Sequence, residues 1–135
     1  MKKYSFTIFI PVRNGAKTIK KTLLSVFKQT YSNFEIVIQD NASSDNTIKI
    51  INSFNNSKIK IFKNESNLGY NGNLNAGIKN CHNDIVLMLA ADDILSKNAL
   101  SLYNIAFNIS EDIGAVTRPY FWFQKNINIP TPIDV

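Results

Sequence analysis

The stretch Phe34-Glu35-Ile36-Val37-Ile38-Gln39-Asp40-Asn41-Ala42-Ser43-Ser44-Asp45-Asn46-Thr47 decides the fold. Residues 34–39 form a short apolar run, Asp40-Asn41-Ala42-Ser43 is a polar cluster at its end, and Ser43-Ser44 opens a helix. Serine is a good N-cap, and Asp45 in the first turn suits the positive end of the helix dipole. Ile48, Ile51 and Phe54 then recur at helical spacing and face inward. Three further apolar runs, residues 6–11, 58–62 and 84–89, are separated from this one and from each other by helical patterns. Such alternation belongs to an α/β domain with a largely parallel sheet.

Ala16, Ile19, Leu23, Val26 and Phe27 mark the sheet-facing side of a first helix, capped near Asn14, with Lys17, Lys20, Lys21 and Lys28 in solvent. A third, shorter helix is expected after Gly72 and carries Leu74 and Ile78. Ala99, Leu100, Tyr103 and Phe107 define a fourth, with Ser96 as its cap, so Asp92 and Asp93 are not needed for capping. Residues 115–123 read as an aromatic-rich strand, with Pro119 disfavouring a central position, and residues 124–135 carry no helix signal. Phe6, Phe27, Phe34, Phe54 and Phe62 fall at positions expected to face a core.

The 135 residues, 44% hydrophobic and 19% charged, suit one domain over residues 1–135. No apolar stretch reaches the length of a bilayer span, and the start is not that of a signal peptide, which predicts a cytoplasmic location. One Cys and one His exclude a thiol or imidazole metal cluster. His82, in a loop, is read as a surface residue. The net charge of +5 comes largely from scattered Lys and suits solubility, a phosphate-bearing ligand or an anionic surface. Without a basic stripe interleaved with exposed aromatics, nucleic acid is not an expected partner.

In an open parallel sheet ligands bind beyond the carboxyl ends of the strands. Three polar clusters converge there: Val12-Arg13-Asn14, Asp40-Asn41-Ala42-Ser43 and Asp92-Asp93. Two adjacent carboxylates at the mouth of a buried strand repel unless a cation joins them, and a hard cation such as Mg²⁺ or Mn²⁺ keeps positions open for phosphate. Asp40 is placed either to accept a hydrogen bond from a ring N–H, which uracil, thymine and guanine present, or to bond its own backbone in a turn. The segment from Asn67 through Gly69 and Asn73 to Gly77 offers amides and flexible backbone to a phosphate or ribose, or simply starts a helix. It lacks the glycine spacing of a dinucleotide fold and the Lys-Ser/Thr ending of a P-loop. Arg13 and Lys17 are available to neutralise phosphate.

In their order and spacing these motifs resemble family two glycosyltransferases of the GT-A fold, from about Ser5 to Leu95. The resemblance is carried by Phe9-Ile10-Pro11-Val12-Arg13-Asn14-Gly15, by the stretch from Glu35 to Thr47, by Asn67-Leu68-Gly69 with Asn75-Ala76-Gly77, and by the strand ending in Asp92-Asp93. It implies a three-layer α/β/α sandwich with a mainly parallel central sheet. It further implies inverting, metal-assisted transfer of a sugar, hexosyltransferase-like, from a UDP-, dTDP- or GDP-sugar to the hydroxyl of a glycan or lipid-linked acceptor. The expected setting is surface polysaccharide or glycolipid synthesis at the inner face of the membrane, with peripheral membrane association and pairing of subunits both open. By matching positions, Pro11, Val12, Arg13, Asn14, Asp40, Asn41, Asn67, Gly69, Asn73 and Asp92 bind the nucleotide. Asp93, with Asp92, holds Mg²⁺ or Mn²⁺.

Two positions depart from the family pattern: Ala90 stands where many relatives have Asp, and Leu74 where many have a basic residue. The family's general base lies C-terminal to the acid pair, so Glu111, Asp112 and Asp134 are not assigned that role and the acceptor-binding part is expected to be missing from this chain. The competing reading is a non-catalytic nucleotide-binding module or donor-binding fragment. A receiver-like signalling domain is disfavoured, because its acid pair would follow the first strand and its phosphorylatable Asp the third.

Overall fold

Strict alternation along the first strand separates two apolar surfaces, and the other elements arrange themselves on them. The computed structural model describes residues 1–117, 121–122 and 131–132. Four strands, β1 (Phe6–Val12), β2 (Phe34–Asp40), β3 (Ile59–Lys63) and β4 (Ile85–Met88), alternate with four helices, α1 (Ile19–Phe27), α2 (Thr47–Asn52), α3 (Gly69–Ile78) and α4 (Ala99–Phe107). The strands form one parallel sheet in the order β3-β2-β1-β4. Phe6 stands opposite Phe34 on one side and Ile85 on the other, and Val12 stands opposite Asp40.

Phe6, Ile8, Ile10 and Val12 point to one face with Ile36 and Ile38, where Ile19, Leu23 and Val26 of α1, Ile51 of α2 and Leu100 of α4 close the core. Ile8, Ile10, Ile36, Ile38 and Leu100 are wholly buried. Each such side chain contributes about 1.5–3 kcal/mol by leaving water. On the other face α3 lies against β1 and β2. The sheet therefore has helices on both sides, as expected of an α/β/α sandwich. β1, buried on both faces, reads as a continuous apolar run for that reason.

Several element ends differ from expectation. The first helix begins at Ile19, one turn later than its apolar spacing suggested, and Asn14 does not cap it. Asn14 takes φ 52°, and its Oδ1 accepts from the Ser44 amide at 2.9 Å. Asp45 lies outside α2: its Oδ1 accepts from the Thr47 amide and hydroxyl, and its Oδ2 from the Ala16 amide at 3.1 Å. These bonds hold its carboxyl below the usual carboxylate range, the Thr47 hydroxyl contributing most. Phe54 lies beyond the end of α2 and stacks on Phe27 with ring centroids 5.7 Å apart. The side chain of Ser96 does not cap α4, whose N-cap position is Asn98.

α3 starts at Gly69, not after Gly72, and Gly69 has φ +72°. Its buried residues are Asn73 and Gly77, while Ile78 is exposed. Phe62 is exposed too, because the core side of β3 is taken by Ile59 and Ile61. Residues 115–117 are not strand. Within the expected fifth strand, Phe121–Trp122 form β5, which pairs antiparallel with β6 (Thr131–Pro132) and not with the parallel sheet. Residues 118–120 and 123 of that expectation, and Asp134, lie outside the described residues.

Gly77 lets α3 approach the sheet. A Cβ at this position would lie 2.4 Å from Phe9 Cε2 and 2.7 Å from Gln39 Cβ. Overpacking of this kind costs about 1–3 kcal/mol, more than the ~1 kcal/mol an Ala gains over Gly in a helix. Gly77→Ala is expected to lower unfolding stability in a urea titration. Gly114→Ala, whose Cβ meets nothing within 4 Å, is expected to leave it unchanged.

Candidate functional site

The carboxyl ends of β2, β1 and β4 lie side by side, and the loops leaving them enclose a cavity of about 670 Å³. That volume is in the range of small-molecule sites. One wall is the turn after β1: Pro11, Val12, Arg13, Asn14, Gly15, Lys17 and Thr18. Toward β2 the lining is Asn41 with Asn67, Gly69, Tyr70 and Asn73, and toward β4 it is Met88, Ala90, Ala91 and Asp92. Nine of the residues expected to bind nucleotide therefore share one cavity, whereas Asp40 and Asp93 do not line it.

The turns after β1 and β2 are stitched together: the Asn14 amide donates to Ser43 Oγ at 2.9 Å, and Asn14 Oδ1 accepts from the Ser44 amide at 2.9 Å. On the β4 side, Thr22 Oγ1 donates to the Ala91 carbonyl at 2.9 Å and the Leu95 amide to Ser25 Oγ at 3.0 Å. Both bonds anchor the acid turn on α1. Between β2 and α3 the structure is held by carboxamides. Asn64 Nδ2 donates to Asn41 Oδ1 at 3.0 Å and to Asn73 Oδ1 at 2.8 Å, while Asn64 Oδ1 accepts from Gln39 Nε2 at 2.8 Å. Asn41 Nδ2 donates onward to Asn67 Oδ1 at 2.8 Å and to the Gly69 carbonyl at 3.1 Å.

Asp40 is 2% exposed, and its two carboxylate oxygens differ. Oδ2 accepts from the Ser43 amide at 3.1 Å, in a turn where Ala42 takes φ 55°. Oδ1 is buried and has no hydrogen-bond partner among the described residues. A buried acceptor left unpaired is destabilising by about 1–3 kcal/mol, and more when charged. Both readings of Asp40 thus have an atom: one oxygen forms the turn, and the other is unmatched.

Asp92 and Asp93 are exposed at the end of β4. Partial burial of the Asp93 carboxyl, and then the neighbouring Asp92 carboxylate, raise its pKa above the usual value. A cation between them would relieve that repulsion. Among the described residues no three His, Cys, Asp or Glu side chains gather around one point. Two carboxylates would leave most of the shell of a hard divalent ion to water and ligand phosphate, a division that Mg²⁺ accepts. Arg13 and Lys17 form no ion pair among the described residues, where the ion pair present joins Lys60 to Glu35 at 2.7 Å. Leu74 is half-buried in α3 and does not line the cavity, while Ala90 does.

The sequence profile of glycosyl transferase family 2 matches residues 7–131. The chain belongs to this family. It is 36% identical over 126 residues to the UDP-Glc:alpha-D-GlcNAc-diphosphoundecaprenol beta-1,3-glucosyltransferase WfgD of Escherichia coli, a match covering 93% of this chain and 49% of that protein. It is also 36% identical over 105 residues to the poly-beta-1,6-N-acetyl-D-glucosamine synthase of Staphylococcus epidermidis, covering 77% of this chain and 26% of the synthase. The crystal structure of S. aureus TarS 1–349 in complex with UDP superposes with a TM-score of 0.74 at 28% identity, over 78% of this chain and 32% of that one. The fold is that of the GT-A glycosyltransferases, and the chain spans about half or less of the length of these relatives. Among the described residues no helix is long and apolar enough to cross a membrane.

The spacing of strands led to the three polar clusters. Gly15, Thr18 and Tyr70 join them, each next to a residue already named, as does Lys17, which the sequence had offered for a phosphate. Asn64 had no signal beyond the Asn richness of its neighbourhood, yet it links Asn41 and Asn73. Asn64→Ala would leave Asn73 Oδ1 without its donor and is expected to lose about 1–3 kcal/mol in chemical denaturation. Asn71→Ala, on the exposed side of α3, is expected to change stability by less than about 0.5 kcal/mol.

Proposed function

We propose that this chain binds the donor of an inverting, metal-assisted glycosyltransferase, which moves a sugar from a UDP-, dTDP- or GDP-sugar to an acceptor hydroxyl. The observation that carries the reading is the buried, unpaired Oδ1 of Asp40, a residue that does not itself line the cavity but directly precedes Asn41, which does. A ring N–H of uracil, thymine or guanine supplies the missing donor, and adenine has none to offer there. Family membership and the likeness to a UDP complex support the same class of ligand.

Across the sheet edge, each part of such a donor meets a suitable group. Asn67 and Asn73 would lie along the ribose or a phosphate, Pro11 to Asn14 line the wall at β1, and Arg13 and Lys17 would offset the charge of the diphosphate. Mg²⁺ or Mn²⁺ held by Asp93 and Asp92 would supply electrostatic stabilisation of the leaving diphosphate. The residues themselves orient the donor and exclude water, and no covalent intermediate is invoked. Asp92 is the one acid lining the cavity among the described residues and is engaged on the donor side, so none of them is assigned to deprotonate the acceptor. A glycan or lipid-linked acceptor in surface polysaccharide or glycolipid synthesis is proposed by analogy with the relatives named above. On this reading the chain works at the cytoplasmic face of the membrane.

Calorimetry with UDP, dTDP, GDP and ADP, each with and without Mn²⁺, tests the reading. At least one of the first three is expected to bind with Mn²⁺, and ADP at least about tenfold more weakly. A hydrogen bond to a charged group contributes about 1.5–3 kcal/mol, so Asp40→Asn is expected to weaken UDP binding roughly 10- to 150-fold. Asp93→Ala is expected to abolish the effect of Mn²⁺. Equal affinity for ADP would remove the role given to Asp40, and binding indifferent to Mn²⁺ and to Asp93→Ala would leave a plain nucleotide-binding module.

A further inference from the structure

We propose that Tyr70 is a base-stacking residue, its ring forming one face of the slot that receives the nucleobase. The inference rests on the donor-site reading and adds to it a ligand contact that the motifs do not include. Tyr70 lines the cavity and is 67% exposed. The other tyrosines described, Tyr4, Tyr31 and Tyr103, pack against the core, and Tyr31 is further fixed by its hydroxyl donating to the Tyr4 carbonyl at 2.7 Å. The ring of Tyr70 pairs with no other aromatic, and its hydroxyl makes no hydrogen bond, among the described residues. A large apolar ring face is thus presented to the cavity, where a planar group can lie against it.

The placement of this ring along the site is fixed by its neighbour. The Gly69 carbonyl accepts from Asn41 Nδ2 at 3.1 Å, and the Gly69 amide donates to Asn67 Oδ1 at 3.0 Å. The Leu68 amide donates to Asn41 Oδ1 at 2.8 Å. Two of these bonds reach Asn41, which directly follows Asp40, and they tie the start of α3 to the cavity wall at the end of β2. The opposite end is Asp92, two strands away in the order β2-β1-β4. The backbone at Tyr70 is therefore anchored while its ring stays free, an arrangement in which stacking orders few side-chain bonds. Gly69 makes the turn possible, since its φ of +72° is strained for any residue with a Cβ.

A ring stacked on the base and a carboxylate at its edge have separable signatures. Stacking depends little on which base is present, and truncating an aromatic partner typically weakens binding roughly 5- to 150-fold. Titration of the full chain with UDP and, separately, with inorganic pyrophosphate, both with Mn²⁺, is the experiment. Tyr70→Ala is expected to weaken UDP binding about tenfold or more and to leave pyrophosphate binding unchanged, with an unaltered melting temperature. Tyr70→Phe is expected to bind UDP within about twofold of the wild type, because the ring suffices. UDP binding indifferent to Tyr70→Ala would overturn the role, as would an equal loss for pyrophosphate, which would place the side chain at the diphosphate. A Tyr70→Phe loss as large as that of Tyr70→Ala would overturn it in favour of the hydroxyl. Wild-type protein that binds no nucleotide would defeat the donor-site reading and this role together, whereas wild-type binding with a silent Tyr70→Ala defeats the latter alone.

Discussion

Parallel pairing of β1 with β2 on one side and β4 on the other is the constraint on which the rest of the molecule depends. In a parallel sheet every strand ends at the same edge, and each crossover helix must carry the chain back before the next strand starts. Three loops that are distant in sequence are therefore delivered to one edge. The residues delivered differ in character: a carboxylate with carboxamides from β2, a cationic turn from β1, and an acid pair from β4. A polar ligand laid along that edge meets these groups in a fixed order. The burial of β1 on both faces makes its position the least negotiable part of the fold.

Charge does little of the positioning. Asn41 and Asn73 are 4% exposed and Gln39 is 3% exposed, and each is satisfied by another amide or by backbone. A carboxamide brings both donors and acceptors, so a chain of them closes on itself without a buried charge to desolvate. Within this satisfied network, the orphaned oxygen of Asp40 is conspicuous. Buried polar atoms without partners are few in folded proteins, and the rest of the site shows that this chain has amides enough nearby to satisfy one more. On the donor-site proposal, that atom is the one to which the ring N–H of the base would bond.

The strands were legible because burial on two faces writes itself as unbroken hydrophobicity, and the direction of the sheet followed from the helices between them. Helix ends were not. Asn14, Asp45 and Ser43 look like local caps, yet each is bonded to a loop about thirty residues away, and no local rule contains that partner. α3 was misjudged for a different reason. Leu74 and Ile78 suggested a start after Gly72, but the helix buries Asn73 and Gly77, one to meet Asn64 and the other to let Phe9 come close. Hydrophobic periodicity fails when the buried stripe is polar or missing a side chain. The site was legible in outline, through strand ends and their polar clusters, but Tyr70 and Asn64 acquire meaning only from what faces them.

The acid pair and the amide network place opposite demands on the same edge. At β4, partial burial and then the neighbouring Asp92 carboxylate make the Asp93 carboxyl costlier to ionise, a cost that a cation would offset. At β2, geometry is set in advance by the amides, and what is missing is a neutral donor. A molecule that satisfies both must carry a ring N–H at one extremity and anionic oxygens able to share a metal at the other, separated by the width of β1 and its neighbours. A nucleoside diphosphate has this polarity built into it. A free sugar lacks both ends, and inorganic phosphate lacks one. On the donor-site proposal the same asymmetry would orient the donor, since reversing it would set phosphate against the buried Asp40 side chain and leave Asp92 and Asp93 facing an uncharged base.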